Sequence, residues 1–426
     1  MKRSFSRLFF LASALLISGI TSAASEQSKS LTLETCYAKA RANYPLLRQL
    51  NLIKLSAGYS LENAARSYYP QININGQASY QSAVTEFPIS LPNVNIPSVS
   101  KDQYKVYTEV TEPLTDLFTI KHQQNLIKAN QAVQEQQTET EIFKLKDRIN
   151  QIFFGILVID AQEKQTDLLE EAVKNALHKT EVAIKNQTAL QSNADQLQAE
   201  ILKIKQQQIT LQTARQGFLQ MLSLFIGEKL DENTQLTTPT PILEQLGIAR
   251  PELRLYDLQR SVYDAQNELI TQRLYPHFNL FFQGGYGRPA LNFLSNDFTP
   301  YYLTGLRLNW NISAFYTSKS ERKILNIGQQ SLDVQKETFL FNTKLSLAQE
   351  NSEMKRYKDL ISTDAQIVAL REKVAANAET QLQYGSISTL DYLNYTNSLS
   401  QAQQDQVLHQ MQLLLAQYKI QNTTGN

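Results

Sequence analysis

A single cysteine, Cys36, in 426 residues excludes an intrachain disulfide framework. It follows Thr35 inside a helical pattern, and it reads as a buried structural thiol rather than a lipidation site. The four histidines, His122, His178, His277 and His409, are far apart, with no H-E-x-x-H or other metal spacing. No G-x-S-x-G or P-loop occurs, and the glycine-rich run Gly284-Gly285-Tyr286-Gly287 falls within a strand pattern. There it speaks for close backbone packing rather than phosphate binding. Neither catalysis nor a cofactor is expected. The balance of 41 basic and 40 acidic residues leaves no positive field for nucleic acid. Past residue 24, no run approaches 18 apolar residues; the best is Phe153 to Ile159. A membrane-spanning helix is therefore not expected, and a membrane could be crossed only by closed β-structure.

What is present begins with an address. Lys2, Arg3 and Arg7 form a basic start, Leu8 to Ile20 is apolar, and Thr21-Ser22-Ala23-Ala24 supplies small residues. Residues 1–24 thus read as a cleaved signal peptide. Beyond them the chain repeats itself. Tyr44-Pro45-Leu46-Leu47-Arg48 returns as Arg250-Pro251-Glu252-Leu253-Arg254, and Tyr69-Pro70-Gln71-Ile72-Asn73 as Tyr275-Pro276-His277-Phe278-Asn279. Ser192-x-x-Asp195-x-Leu197 returns as Ser388-x-x-Asp391-x-Leu393. This predicts two repeats of one plan, at 25–238 and 239–426, with a joint at 228–250 containing Pro239, Pro241 and Gly247.

All twelve prolines lie outside 114–238 and 301–426, as long helices require. Ile142, Leu145, Ile149, Ile152, Ile156 and Ile159 step by three and four. Leu197, Ile201, Ile204, Leu211, Phe218, Leu222 and Phe225 keep the same register, interrupted by the polar Gln208 and Arg215, and Val407, Met411, Leu414 and Tyr418 repeat it. The pattern is a coiled-coil seam, although locally a buried seam of an ordinary bundle would look alike. A continuous helix from about Leu117 to Lys185 would reach roughly 100 Å.

Each repeat also holds period-2 segments. Ile72, Ile74, Gly76, Ala78 and Tyr80 alternate with polar residues, as do Tyr104, Val106, Thr108 and Val110. Leu306, Leu308, Trp310 and Ile312 do the same in the second repeat, and Phe278 to Tyr286 is less regular. This suits barrel strands facing lipid on one side and water on the other, or an amphipathic sheet of a soluble sandwich. Tyr80, Tyr301, Tyr302 and Trp310 are candidates for an aromatic belt. Segments 83–102 and 287–300 read as outward loops. Four strands cannot close a membrane barrel, for which about eight is the minimum, so a symmetric oligomer is expected.

The order of these pieces resembles the TolC-like outer membrane factor (outer membrane efflux protein) family across nearly the whole chain past residue 24. Its sharpest marks are Leu31-Thr32-Leu33-Glu34, Pro45 and Pro251, Pro70 and Pro276, Glu112-Pro113-Leu114, and Gly385-x-x-Ser388-x-x-Asp391-x-Leu393. The resemblance implies a mainly α chain with a β-barrel part. Three such chains would form a twelve-stranded barrel in the outer membrane, continued by a helical tunnel through the periplasm. It implies, as partners, outer-membrane lipid, a periplasmic adaptor (membrane fusion) protein and, through it, an inner-membrane pump. The family's periplasmic tip would fall on Ser192, Asp195, Gly385, Ser388, Asp391 and Asn394, with an acidic ring at Asp391. Asn394 stands where some relatives carry a second aspartate, and Ala189 where a glycine is usual. The two serines also read as helix N-caps followed by an acid in the first turn. Two other readings stay open at this level: a non-conducting coiled-coil spacer of the envelope, and a periplasmic adaptor.

Overall fold

A computed structural model describes residues 31–85, 99–242 and 247–426. The signal-like segment 1–24 and most of loop 83–102 lie outside the described residues. The first half comprises α1 (Leu33–Asn43), α2 (Leu47–Arg66), β1 (Gln71–Tyr80), β2 (Asp102–Pro113), α3 (Asp116–Phe143), α4 (Leu145–Lys185) and α5 (Gln191–Ile226). The second comprises α6 (Pro251–Gln272), β3 (His277–Arg288), β4 (Thr299–Asn309), α7 (Ala314–Gln383) and α8 (Thr389–Thr424).

Local chemistry sets the boundaries. The Thr32 side chain accepts the Thr35 amide to open α1. Pro251 opens α6, where its missing amide hydrogen costs nothing. Gly227, at φ +72°, closes α5 in the left-handed conformation glycine adopts freely. The 70 residues of α7 extend about 105 Å at 1.5 Å each.

Its counterpart in the first half is not continuous, contrary to the expectation for 117–185. Helix α3 ends at Phe143 and α4 begins at Leu145, with Lys144 between them. No proline or glycine lies there; the cause is tertiary. The path changes partners at this point, α3 lying against α2 and α6 and α4 against α5 and α8. Side chains from three directions meet at the break. The Arg250 guanidinium lies 5.0 Å from the Phe143 ring centre, and Lys146 Nζ lies 4.9 Å from Phe143 and 6.0 Å from Tyr37.

The core sits where α1 docks on α4 and α5 and where α8 packs against α4. Phe153, Phe154, Ile149, Ile156, Leu222 and Cys36 are buried there. All six residues of the 142–159 seam are buried. The polar interruptions of the α5 pattern are cross-ties: Gln208 donates to Asp167 and Glu170, while Arg215 pairs with Asp160 and donates to the Glu232 and Thr234 carbonyls. Burial pushes the Cys36 thiol up to about 12. Since the thiolate is the reactive form, an aromatic disulfide reagent at mildly alkaline pH is expected to leave folded protein unmodified and to titrate one thiol after denaturation. Rapid reaction of the folded protein would contradict the burial of α1.

Candidate pore lining and tip

The strands form one antiparallel sheet in the order β1-β2-β3-β4. The two hairpins lie side by side through β2 and β3, and the outer edges of β1 and β4 have no strand partner among the described residues. Directly paired residues of an antiparallel sheet share a face, so the register sorts every side chain. Ile72, Ile74 and Ala78 fall with Tyr104, Val106 and Val110, with Leu280, Phe282 and Tyr286, and with Tyr302, Leu306 and Leu308. The opposite face carries Asn73, Asn75, Gln77, Lys105, Glu109, Thr111, Asn279, Gln283 and Arg307. One side is mostly apolar across four strands, with Glu112 and Arg288 near its two ends. The other is largely polar, although it also carries Tyr107, Phe281, Leu303 and the belt candidate Tyr301. That is the partition a wall between lipid and a water-filled lumen requires.

Close packing explains the glycine-rich run. A Cβ on Gly285 would stand 2.5 Å from Tyr107 Cβ and 2.6 Å from the Val106 carbonyl oxygen. On the polar face, Glu109 accepts hydrogen bonds from Gln283 and Arg307, and the Arg307 guanidinium lies 4.6 Å from the Phe281 ring centre. In the sequence these residues are polar alternates and no more; their meeting across 198 positions (109 to 307) emerges only from the register.

The belt candidates occupy different levels. Tyr80, opposite Asp102, lies at the loop end of the sheet; Tyr301 and Tyr302, opposite Gly285 and Gly284, lie further in. Tyr301 is half-buried and Tyr302 exposed. Trp310 lies just past the end of β4 rather than within the strand, and its indole donates to the Leu274 carbonyl at the helix end.

At the far end of the helices, two turns join α4 to α5 and α7 to α8. The second matches the sequence reading closely. Ser388 caps α8, its Oγ accepting the Asp391 amide, while the Asp391 carboxylate accepts the Ser388 amide at 3.2 Å and its hydroxyl at 2.6 Å. This is a reciprocal capping box. Gly385 holds φ +69°. Asn394, one turn beyond Asp391, is exposed, and its carbonyl accepts the Ser398 hydroxyl.

The first turn corrects the sequence reading. Helix α5 is capped by Leu190, whose side chain makes no capping bond, so Ser192 is not an N-cap but a residue of the first turn. Asp195 accepts a hydrogen bond from Gln191 and is exposed. The left-handed residue is Gln187, at φ +60°, not Ala189. The conformational equivalents of Gly385 and Ser388 are thus Gln187 and Leu190. The two hairpins are joined near the tip by Lys179–Glu379 at 2.6 Å, by Asn397 donating to Glu200, and by the Tyr392 hydroxyl donating to the Ala172 carbonyl.

Among the described residues, no helix is long and apolar enough to cross a membrane, and no cluster of three or more metal-ligating side chains occurs. The described residues thus combine a two-faced four-stranded sheet with open edges and helices as long as α7. The model of the outer membrane efflux protein family matches residues 242–426. The fold as a whole is that of several solved structures. CusC has TM-score 0.66 and 15% identity, with 92% of each chain covered. VceC from Vibrio cholerae has TM-score 0.65 and 14% identity, covering 92% of this chain and 96% of its own. The outer-membrane channel OprN has TM-score 0.65 and 14% identity, covering 92% and 89%. No curated protein sequence matches the chain.

Proposed function

We propose that three copies of this chain form the exit duct of a tripartite efflux or type I secretion assembly. The duct is a passive conduit for substrates that an inner-membrane pump delivers through a periplasmic adaptor. The observation that carries this reading is the sheet with one apolar face, one polar face and two open edges. An open edge in lipid leaves unpaired backbone groups at several kcal/mol each, so β4 of one copy must meet β1 of another. A coiled-coil spacer would have no use for such a sheet.

The helices support the same closure. Leu52, Leu55 and Tyr59 on α2 are exposed, as are Ile327, Val334 and Phe341 on α7, the latter at strict seven-residue spacing. Lower down, Leu202 and Ile209 on α5 and Ile367, Leu370 and Val374 on α7 are exposed in the same way. These are half-seams of coiled coils, and they lie on the outer members of the helix rows α2-α3-α6-α7 and α5-α4-α8-α7. In the proposed arrangement the hairpin loops face outside the cell. The turns at 186–190 and 384–388 form the periplasmic tip, where the adaptor docks.

At that tip, three Asp391 carboxylates would favour cations, because low-dielectric walls focus their field. The Asp391→Asn substitution removes the charge while leaving an amide side chain that still serves at a helix start. Bilayer recordings under a salt gradient should therefore show discrete conductance steps with cation preference for the wild type. Asp391→Asn should shift the reversal potential toward zero while the oligomer stays intact. Asp195→Asn should have a smaller effect, since Asp195 lies a turn into α5. Unchanged selectivity in Asp391→Asn would leave that side chain with the capping role alone. Absence of any conductance steps would refute the duct.

A further inference from the structure

The β3–β4 connection, residues 289–298, does not fold toward the polar face of the sheet. Its last aromatic, Phe298, lies against Tyr286 with ring centres 5.8 Å apart and planes at 17°, and 6.2 Å from Tyr104. Both tyrosines belong to the apolar face. Arg288 secures this arrangement. Its guanidinium lies 5.7 Å from the Tyr104 ring centre and 5.4 Å from Phe298 while it pairs with Asp102. The Ser100 amide donates to the Asn296 side chain at 2.6 Å and ties the returning limb to the base of β2. The tip of the loop is shaped by Asn292, whose side chain accepts the Leu294 amide at 3.1 Å.

A loop held in this way presents Leu291, Phe293, Leu294 and Phe298 outward, all exposed. So dense a set of large apolar side chains is out of place on a water-facing loop, where a contiguous apolar patch marks an interaction surface. The patch is continuous with the apolar face of the sheet through the Phe298–Tyr286 stack. We infer that this loop is a membrane-interface anchor, in which Leu291, Phe293 and Leu294 insert among the acyl chains of the outer leaflet at the rim of the barrel. The Arg288–Asp102 pair sits at the polar boundary beside them. The anchor rests on the reading of the sheet's apolar face as lipid-facing. Its consequence is that each chain grips the leaflet beside the loop end of β2 and β3, which fixes the depth of the barrel.

The test uses the full chain reconstituted in phosphatidylcholine vesicles. The only tryptophan, Trp310, is removed in a Trp310→Phe background, and a reporter is introduced as Phe293→Trp in one protein and Tyr302→Trp in another. Tyr302 lies in β4 on the apolar face and reports whether that face meets lipid. The expected result is a blue-shifted Phe293→Trp emission. It should be quenched by lipids brominated close to the headgroup at least as strongly as the Tyr302 reporter, and little affected by acrylamide. Free quenching by acrylamide, with the Tyr302 reporter still quenched by bromolipid, would overturn the anchor and leave the sheet reading intact. A blue shift without bromolipid quenching would also overturn it, placing the loop against a neighbouring copy or across the mouth. A Tyr302 reporter untouched by bromolipid would overturn the sheet reading and the anchor together.

Discussion

Phe154→Ala is expected to destabilise the helical body by about 3–5 kcal/mol, the range for removing a buried phenyl ring. Phe154 is 1% exposed and sits between Phe153 and Tyr418, its ring centre 5.5 Å from the latter. It lies in the cluster where α1, α4, α5 and α8 converge, so no single neighbouring side chain can collapse into the space. The Tyr418 hydroxyl also donates to the Thr240 carbonyl, which ties the joint between the halves to the same cluster. Denaturant titration followed by far-ultraviolet circular dichroism should show the midpoint falling well below that of the wild type. A shift within the scatter of surface substitutions, about 0.5 kcal/mol, would mean that this core is not packed as described.

Gly285→Ala is expected to abolish barrel formation while Gly284→Ala is tolerated. The added carbon at 285 would overlap the Tyr107 Cβ and the Val106 carbonyl oxygen, neither of which is the free end of a flexible side chain. At 284 the nearest neighbour is the Phe282 ring at 3.4 Å, an ordinary contact. Overpacking costs about 1–3 kcal/mol and sometimes more, and in a ring each copy contributes it again where β2 meets β3. The yield of heat-resistant oligomer in outer-membrane extracts separates the two variants. Equal yields would show that β2 and β3 approach less closely than the register requires.

The parts of this structure that were legible in the sequence are those set by local pattern. The three-and-four spacing from Ile142 to Ile159 marked the buried side of α4, and the alternation at Ile72–Tyr80 and Tyr104–Val110 marked strands and their apolar face. Ser388 and Asp391 announced a helix start because the capping box is a contact over three residues. What was not legible depends on distant partners. The break at Lys144 has continuous helical sequence on both sides and arises from the docking of Arg250 and the change of helix partners. The first turn misled because its left-handed residue is a glutamine and its cap a leucine. Ser192 and Ala189, which match the sequence pattern of the second turn, therefore do not occupy the equivalent conformations. The Glu109–Arg307 pair, the fold of 289–298 over the apolar face and the half-seams on α2, α5 and α7 all follow from register and helix order.

One chain is a third of a closed ring in this account, because among the described residues its β1 and β4 edges and its half-seams have no partner within it. Native mass spectrometry of the detergent-purified protein tests this most directly. The expected spectrum is dominated by a three-chain species that persists until the detergent is stripped and the protein unfolds. A folded single chain, with the full helical signal and no tendency to associate, would contradict it.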